Sequence, residues 1–164
     1  AEFAQVDEAV VDIGFPMPPF ALAALVGPAI MLHVQETLNT AWPDRFPICE
    51  GLKNMVAKKK ANIYTFTDKG TIEVDPEVLE VWPQGSKKFT DQEIRDRVLE
   101  RVAQEIDIML KEGIVASPKD VDTGMIMGAG WPFFMGGITL HLDQKGYSDK
   151  IVGKKFHGAD LLEA

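Results

Sequence analysis

Between Gly14 and Gln35 the chain carries no formal charge, yet Pro16, Pro18, Pro19 and Pro28 interrupt it, as do Gly14 and Gly27. The stretch is long and apolar enough to raise the question of a membrane span. Each proline removes a backbone donor, and in hydrocarbon the broken helix would need partners from neighbouring helices. It therefore reads as short core helices joined at rigid corners, with no integral membrane segment. Val6, Ala9, Val10 and Ile13 precede it at helical spacing, and Gly14 stops that first helix. Pro19 suits the first turn of a second helix ending near Gly27, and Pro28 opens a third with Ile30, Val34 and Leu38 in an i, i+4 row.

Further punctuation divides the rest. Leu52, Met55 and Val56 mark a fourth helix that finishes in Lys58, Lys59 and Lys60, where the helix dipole favours cations. Asn62 to Thr67 is β-branched and aromatic, Asp68-Lys69-Gly70 is a turn signal, and Thr71 to Val74 returns as a second strand of a small hairpin lying on helices. Pro76 to Trp82 reads as a helical excursion. Thr90 and Glu93 form a capping box ahead of Ile94, Val98, Val102, Ile106 and Leu110, and Gly113 closes that long helix. Ser117, Pro118 and Asp120 start another, running to about Gly128. A second aromatic-proline corner and Gly136-Gly137 introduce a helix from Ile138 to about Gln144, beyond which the composition is too mixed to assign. The fold class is mainly α.

Two segments match each other. Val6-Asp7 leads through a helix to Gly14-Phe15-Pro16, then to Pro19-Phe20 and another helix; Val121-Asp122 leads to Gly130-Trp131-Pro132, then to Gly136-Gly137 and another helix. The expectation is one helical domain over residues 1–164 made of two pseudo-repeated units: a partial first repeat over 1–60, a hairpin and connector over 61–88, a second repeat over 89–145 and a tail over 146–164. The second copy follows the long helix, whereas only Ala1 to Gln5 precede the first. The first unit is thus expected to lack its long N-terminal helix, with the chain starting partway into a domain.

Composition excludes several function classes. Apolar residues at 46% and charged residues at 26% rule out wholesale disorder. A net charge of −8 argues against nucleic acid as a partner. The lone Cys49 cannot close an intrachain disulfide, and Glu2, Asp7 and Glu8 in the first residues are unlike a signal peptide, so the expected location is cytoplasmic.

Catalytic groups are sparse. His33, His141 and His157 lie far apart in sequence and without metal-ligand spacing, so no catalytic, cofactor-binding or metal residue is assigned. Cys49 reads as a small core residue. Gly128-Ala129-Gly130 is no dinucleotide fingerprint, because a helix precedes it and Phe133 takes the third glycine's place. Gly136-Gly137 permits either close helix contact or a free φ. Lys58 to Lys60 could meet an anionic ligand, but a solvated helix end is the reading taken. Phe15, Met17, Phe20, Trp131, Phe133 and Phe134 suit an apolar acyl pocket or core packing equally.

The corners carry a family resemblance. Asp12-Ile-Gly14-Phe-Pro-Met-Pro-Pro-Phe20, continuing to Gly27, resembles the G-x-P-M-G-P-F-E-L-x-D-x-V-G stretch of the C-terminal domain of 3-hydroxyacyl-CoA dehydrogenases. Glu112-Gly113-Ile114 with Pro118 and Asp120-Val121-Asp122 is similar to its E-G-I-x-x-x-P-x-D-I-D, and Gly128 to Gly137 to its G-x-G-F-P-P-F-R-G-G. The second repeat resembles the larger multifunctional enzymes of fatty-acid β-oxidation, the type of the fatty-acid oxidation complex alpha subunit. Pro18 replaces a usual glycine, Ala21 and Ala24 stand where acidic residues are common, and Met135 stands where an arginine is usual.

The resemblance implies motif positions at Gly14, Pro16, Pro19, Gly27, Asp122, Gly130, Pro132, Gly136 and Gly137, with Met17 and Phe20 nearest an acyl cleft. It implies oxidation of L-3-hydroxyacyl-CoA to 3-ketoacyl-CoA with NAD in the intact enzyme. There, a Rossmann domain outside this chain carries the cofactor and the catalytic His–Glu pair. The helical part would close the acyl cleft and supply contacts in a homo-oligomer or with a thiolase subunit; alone it is expected to be catalytically silent and to bind no cofactor. The competing expectation is a stand-alone helical dimerisation or scaffold module, with a free acyl-CoA-binding module as a third.

Overall fold

The computed structural model describes residues 1–67 and 72–158. In chain order these form α1 (Phe3–Ile13), α2 (Pro19–Val26), α3 (Pro28–Ala41), α4 (Glu50–Ala57), β1 (Tyr64–Phe66), β2 (Ile72–Val74) and α5 (Pro76–Val81). There follow α6 (Asp91–Lys111), α7 (Pro118–Ala129), a 3₁₀ turn (Phe133–Met135), α8 (Ile138–Lys145) and α9 (Tyr147–Val152). The fold is mostly helical with one small antiparallel hairpin, in which Tyr64 pairs with Val74 and Phe66 with Ile72. The expected turn at Asp68-Lys69-Gly70, and Thr71, lie outside the described residues. The chain divides into two compact units.

One unit comprises Ala1–Asp7 and Met17–Lys88. Its core is Phe3, Met55, Ile63 and Val78, with Phe20, Tyr64, Val81 and Trp82 packed around them. Phe3 meets Phe20 and Trp82 edge-to-face at ring-centroid distances of 4.8 and 5.1 Å, an arrangement that aligns each ring's positive edge with its neighbour's negative face. Pro19 and Pro28 sit at the first helical positions of α2 and α3, where a missing N–H costs nothing. Of α3, Leu32 is buried, while Ile30 and Val34 of the four-spaced row face solvent. With Leu22, Leu25 and Val26 they leave an exposed apolar face, Leu25 at 72%. Among the described residues no single helix is long and apolar enough to cross a membrane; α2 and α3 together have the length but bend by 101°.

The expected end of α4 needs correction. The helix closes at Ala57, with Lys58 as its C-cap and Lys59 at a left-handed φ of 57°. Lys60 lies beyond the helix, its ammonium 2.8 Å from both Asp75 and Glu77. The lysine run therefore serves a turn and a local ion-pair cluster, whose carboxylates raise the Lys60 pKa.

The other unit comprises Glu8–Pro16 and residues from Phe89 onward. Thr90 and Glu93 make both bonds of the capping box. The C-terminus of α6 closes through Gly113 (φ 69°), with Ile114 N–H donating to Met109 and Gly113 N–H to Leu110. Ile94, Leu99, Ala103 and Ile106 are buried along α6, while Val98, Val102 and Leu110 are partly so. A strict four-residue row drifts about 40° per step around a helix of 3.6 residues per turn, so the buried stripe steps across to Leu99 and Ala103. Ile13, Val121, Trp131, Ile138 and Leu142 complete the core. Past Gly146 the chain forms α9, an element the sequence pattern left unassigned.

Candidate functional site

The corner residues of the two matched segments meet. Phe15 and Trp131 pack edge-to-face at 5.5 Å. A Cβ on Gly130 would lie 3.2 Å from the Pro16 ring, and one on Gly14 would lie 2.8 Å from the Met135 sulfur. Gly130 is left-handed (φ 73°) and ends α7, letting Trp131 N–H donate to Met125 O at 3.0 Å. The Trp131 indole then donates to Gly136 O at 3.0 Å, holding the corner closed. Met135, where the resemblance leads one to expect arginine, packs against the core. Phe133 and Phe134 point outward, at 78% and 79% exposure, and so are not core residues.

Each corner leads into a helix whose N-terminus is held by a carboxylate. In the first segment Asp7 Oδ1 accepts the Phe20 N–H at 2.9 Å, and Oδ2 accepts the Tyr64 hydroxyl at 2.6 Å. In the second, Asp122 Oδ1 accepts the Thr139 N–H at 2.7 Å, and Oδ2 accepts the Thr139 hydroxyl at 2.7 Å. Phe20 and Thr139 are both second residues of their helices, where a backbone N–H lacks an intrahelical partner and the dipole favours an anion. Gly137 makes this possible: a Cβ there would lie 2.0 Å from Asp122 Cγ. Gly136 supplies the free φ of 75°. Both readings of the glycine pair hold, one for each residue.

His157 completes the second network. Its Nε2 lies 2.7 Å from the Thr139 hydroxyl oxygen and 3.3 Å from Asp122 Oδ2. Because the hydroxyl proton goes to Asp122, the imidazole must carry its proton on Nε2 and donate to Thr139 Oγ1. Asp143 accepts the backbone N–H groups of Phe156 and His157, both at 2.9 Å. The pairing of residues 122 and 157 is non-local, and no spacing in the chain announces it.

The remaining candidates stay apart. Met17 is 37% exposed, and Phe20 lies half-buried against Phe3 and Trp82. Pro18 is the N-cap of α2, and Gly27, at φ 94°, separates α2 from α3. His33 is exposed on α3, whereas His141 is buried with its ring 5.4 Å from Trp131. Cys49 is half-buried at the N-cap of α4 rather than in the core, its N–H donating to Gln35 at 3.0 Å. Among the described residues no group of three or more His, Cys, Asp or Glu could hold a metal ion. Nor does the glycine-rich segment suit a dinucleotide: Gly128 lies inside α7 and Gly130 caps its C-terminus. That end presents carbonyl oxygens, the wrong sign for phosphate.

Comparisons with known proteins bear on this geometry. Residues 1–67 match the family of the 3-hydroxyacyl-CoA dehydrogenase C-terminal domain. Over 99% of its length the chain is 32% identical to the fatty acid oxidation complex subunit alpha of Acinetobacter baumannii (strain SDF) and 30% identical to that of Acinetobacter baylyi. Over 89% of its length it is 32% identical to the corresponding subunit of Psychrobacter cryohalolentis. The chain spans 26%, 26% and 22% of these curated relatives, respectively.

Proposed function

We propose that this chain, matched to the 3-hydroxyacyl-CoA dehydrogenase C-terminal domain, is the helical part of an NAD-dependent enzyme that oxidises L-3-hydroxyacyl-CoA in fatty-acid β-oxidation. The observation that carries this reading is the likeness along 99% of the chain to alpha subunits of fatty acid oxidation complexes. The two carboxylate-held helix starts, at Asp7 and Asp122, support treating the two segments as equivalent copies of one helix–corner–helix unit.

In the intact enzyme, NAD supplies the hydride acceptor from a Rossmann domain that also carries the His–Glu pair. The part played by residues 1–164 is to shape the acyl cleft, with Met17 and Phe20 at its border, and to exclude water there. Met17 offers a flexible thioether that adapts to an acyl chain, and Phe20 is braced by Phe3 and Trp82. The exposed apolar face of α2 and α3 suits oligomer contacts, whether with a second copy or with a thiolase subunit. The lone cysteine accords with a cytoplasmic location.

Two preparations test the reading. Purified residues 1–164 should leave NADH unoxidised in the presence of acetoacetyl-CoA, whereas the same chain extended through its upstream reading frame should turn it over. Within the extended enzyme, Met17→Glu should raise KM for acyl-CoA several-fold, because a carboxylate at an apolar border must be desolvated on binding. NADH oxidation by residues 1–164 alone would overturn the silent role, and an inactive extended enzyme would overturn the activity itself. An active extended enzyme with unchanged KM in the Met17 variant would remove Met17 from the cleft.

A further inference from the structure

In the unit that contains α6, a cleft of about 300 Å³ opens between α6, α8 and the end of α1. Its apolar surface is Ile13, Leu99 and Met135, and its polar wall includes His141 and Lys145, one turn apart on α8. Most of the other polar groups around it are already engaged. Arg95 is paired with Asp12 at 3.2 Å, and the Tyr147 hydroxyl donates to Asp96 at 2.6 Å.

Two groups are not. Lys145, in the last turn of α8, makes no ion pair or hydrogen bond among the described residues, which leaves its ammonium open to an anion at the rim of the cleft. His141 is only 8% exposed, lines the cleft, and has no hydrogen-bond partner among the described residues. Its ring nitrogens are not among the sealed, unpartnered side-chain atoms, so they open on the cleft, where a ligand can take the place of water. Burial, and secondarily the Lys145 charge, hold the His141 pKa below its ordinary value. At neutral pH the ring therefore offers one N–H.

We propose that this cleft binds a small carboxylate with a short apolar tail, the carboxylate lying between the His141 ring N–H and the Lys145 ammonium and the tail lying on Leu99 and Met135. At roughly 30 Å³ for each water-sized group the cleft has room for about ten non-hydrogen atoms, which suits a six-carbon acid. The proposal is independent of the dehydrogenase reading and concerns a different part of the chain.

Hexanoate is the probe. Added to residues 1–164 during NMR spectroscopy, it should shift the Leu99 and Met135 methyl signals saturably and raise the His141 pKa, since a bound anion favours the imidazolium. The other titratable and charged groups that line the cleft with that ring are Asp12, Arg95, Lys145 and Tyr147, so the pKa is read from the His141 ring signals themselves. Lys145→Gln, an exposed substitution, should weaken binding at least fivefold, while Lys154→Gln should not alter it. Acetate, which lacks the tail, and hexanol, which lacks the charge, should each bind at least tenfold more weakly. The proposal is overturned if hexanoate gives no saturable shift, if Lys145→Gln binds like the parent, if hexanol equals hexanoate, or if the shifts fall on the α2–α3 face instead.

Discussion

Asp122 holds Thr139 twice over, accepting both its backbone N–H and its hydroxyl at 2.7 Å. One carboxylate from the first turn and a half of α7 thereby fixes where α8 begins, and the corner between the two helices is held at both its ends. Asp7 does the same for Phe20 with a single bond. In place of a hydroxyl beside it, Asp7 receives the Tyr64 phenol from the hairpin. The shared device is a carboxylate one helix back from the corner; the donors that complete it are local in one copy and distant in the other.

Removing that carboxylate should be costly. Asp122→Ala leaves the buried Thr139 N–H and hydroxyl without their acceptor, and takes away the carboxylate 3.3 Å from the His157 imidazole. Hydrogen bonds to a charged group are each worth about 1.5–3 kcal/mol, so a loss of about 3 kcal/mol in urea unfolding is expected. A change below about 1 kcal/mol would show that water replaces the carboxylate easily.

Gly137→Ala tests the space rather than the charge. The added Cβ would sit 2.0 Å from Asp122 Cγ, so the carboxylate must leave or α8 must shift. Overpacking of this kind costs about 1–3 kcal/mol. Combined with Asp122→Ala the penalties should be strongly sub-additive, because the first substitution removes the group that the second collides with. Simple additivity in the double-mutant cycle would disprove the coupling.

The N-terminus of α6 offers a cleaner number. Thr90 accepts the Glu93 N–H while Glu93 accepts the Thr90 N–H at 2.7 Å. Thr90→Ala breaks one half of this exchange at an exposed site and should lower stability by about 1 kcal/mol, read from the urea midpoint at unchanged slope.

Alkaline titration should single out Tyr147. Burial, the bond to Asp96 and the nearby Asp96 charge push its pKa up to about 12. The folded pKa lies above the unfolded value near 10, so its contribution to stability is complete below pH 10 and is lost as pH rises towards 12. Absorbance of phenolate should reveal this late ionisation, and Tyr147→Phe should abolish it. In the acid direction, Tyr147 and Gln92 hold the Asp96 carboxyl below its ordinary range. That carboxylate therefore stabilises the fold above its unfolded pKa and stops doing so as pH falls through the folded one. A phenolate signal complete by pH 10 would contradict the buried hydroxyl.

Where the chain turns was legible from its letters, because the turns are made by local chemistry. Pro19, Pro28 and Pro118 begin helices; Gly14, Gly27 and Gly113 end them; Thr90 and Ser117 cap them. What could not be read is what each face meets. The row through Ile30 and Val34 has the spacing of a buried stripe, yet it faces solvent, since periodicity marks an apolar face without supplying its cover. Lys60 looked like part of a helix end until Asp75 and Glu77, brought close by the hairpin, claimed it. The partners of Asp7 and Asp122 lie up to 57 residues away, and His157 gave no sign of its role because nothing nearby in sequence requires it. The corners were visible as motifs; the networks that hold them were not.

The three tryptophans stand in three different settings. Trp82 packs edge-on to Phe3 and Phe20 in one unit, Trp131 is sealed in the core of the other, and Trp42 is nearly half exposed beside Arg45. Each core thus carries its own intrinsic fluorophore. With Trp42 changed to Phe, and then Trp82 or Trp131 in turn, emission from the remaining indole would report the melting of one unit alone. The chain holds the means to ask, without any added label, whether its halves come apart together.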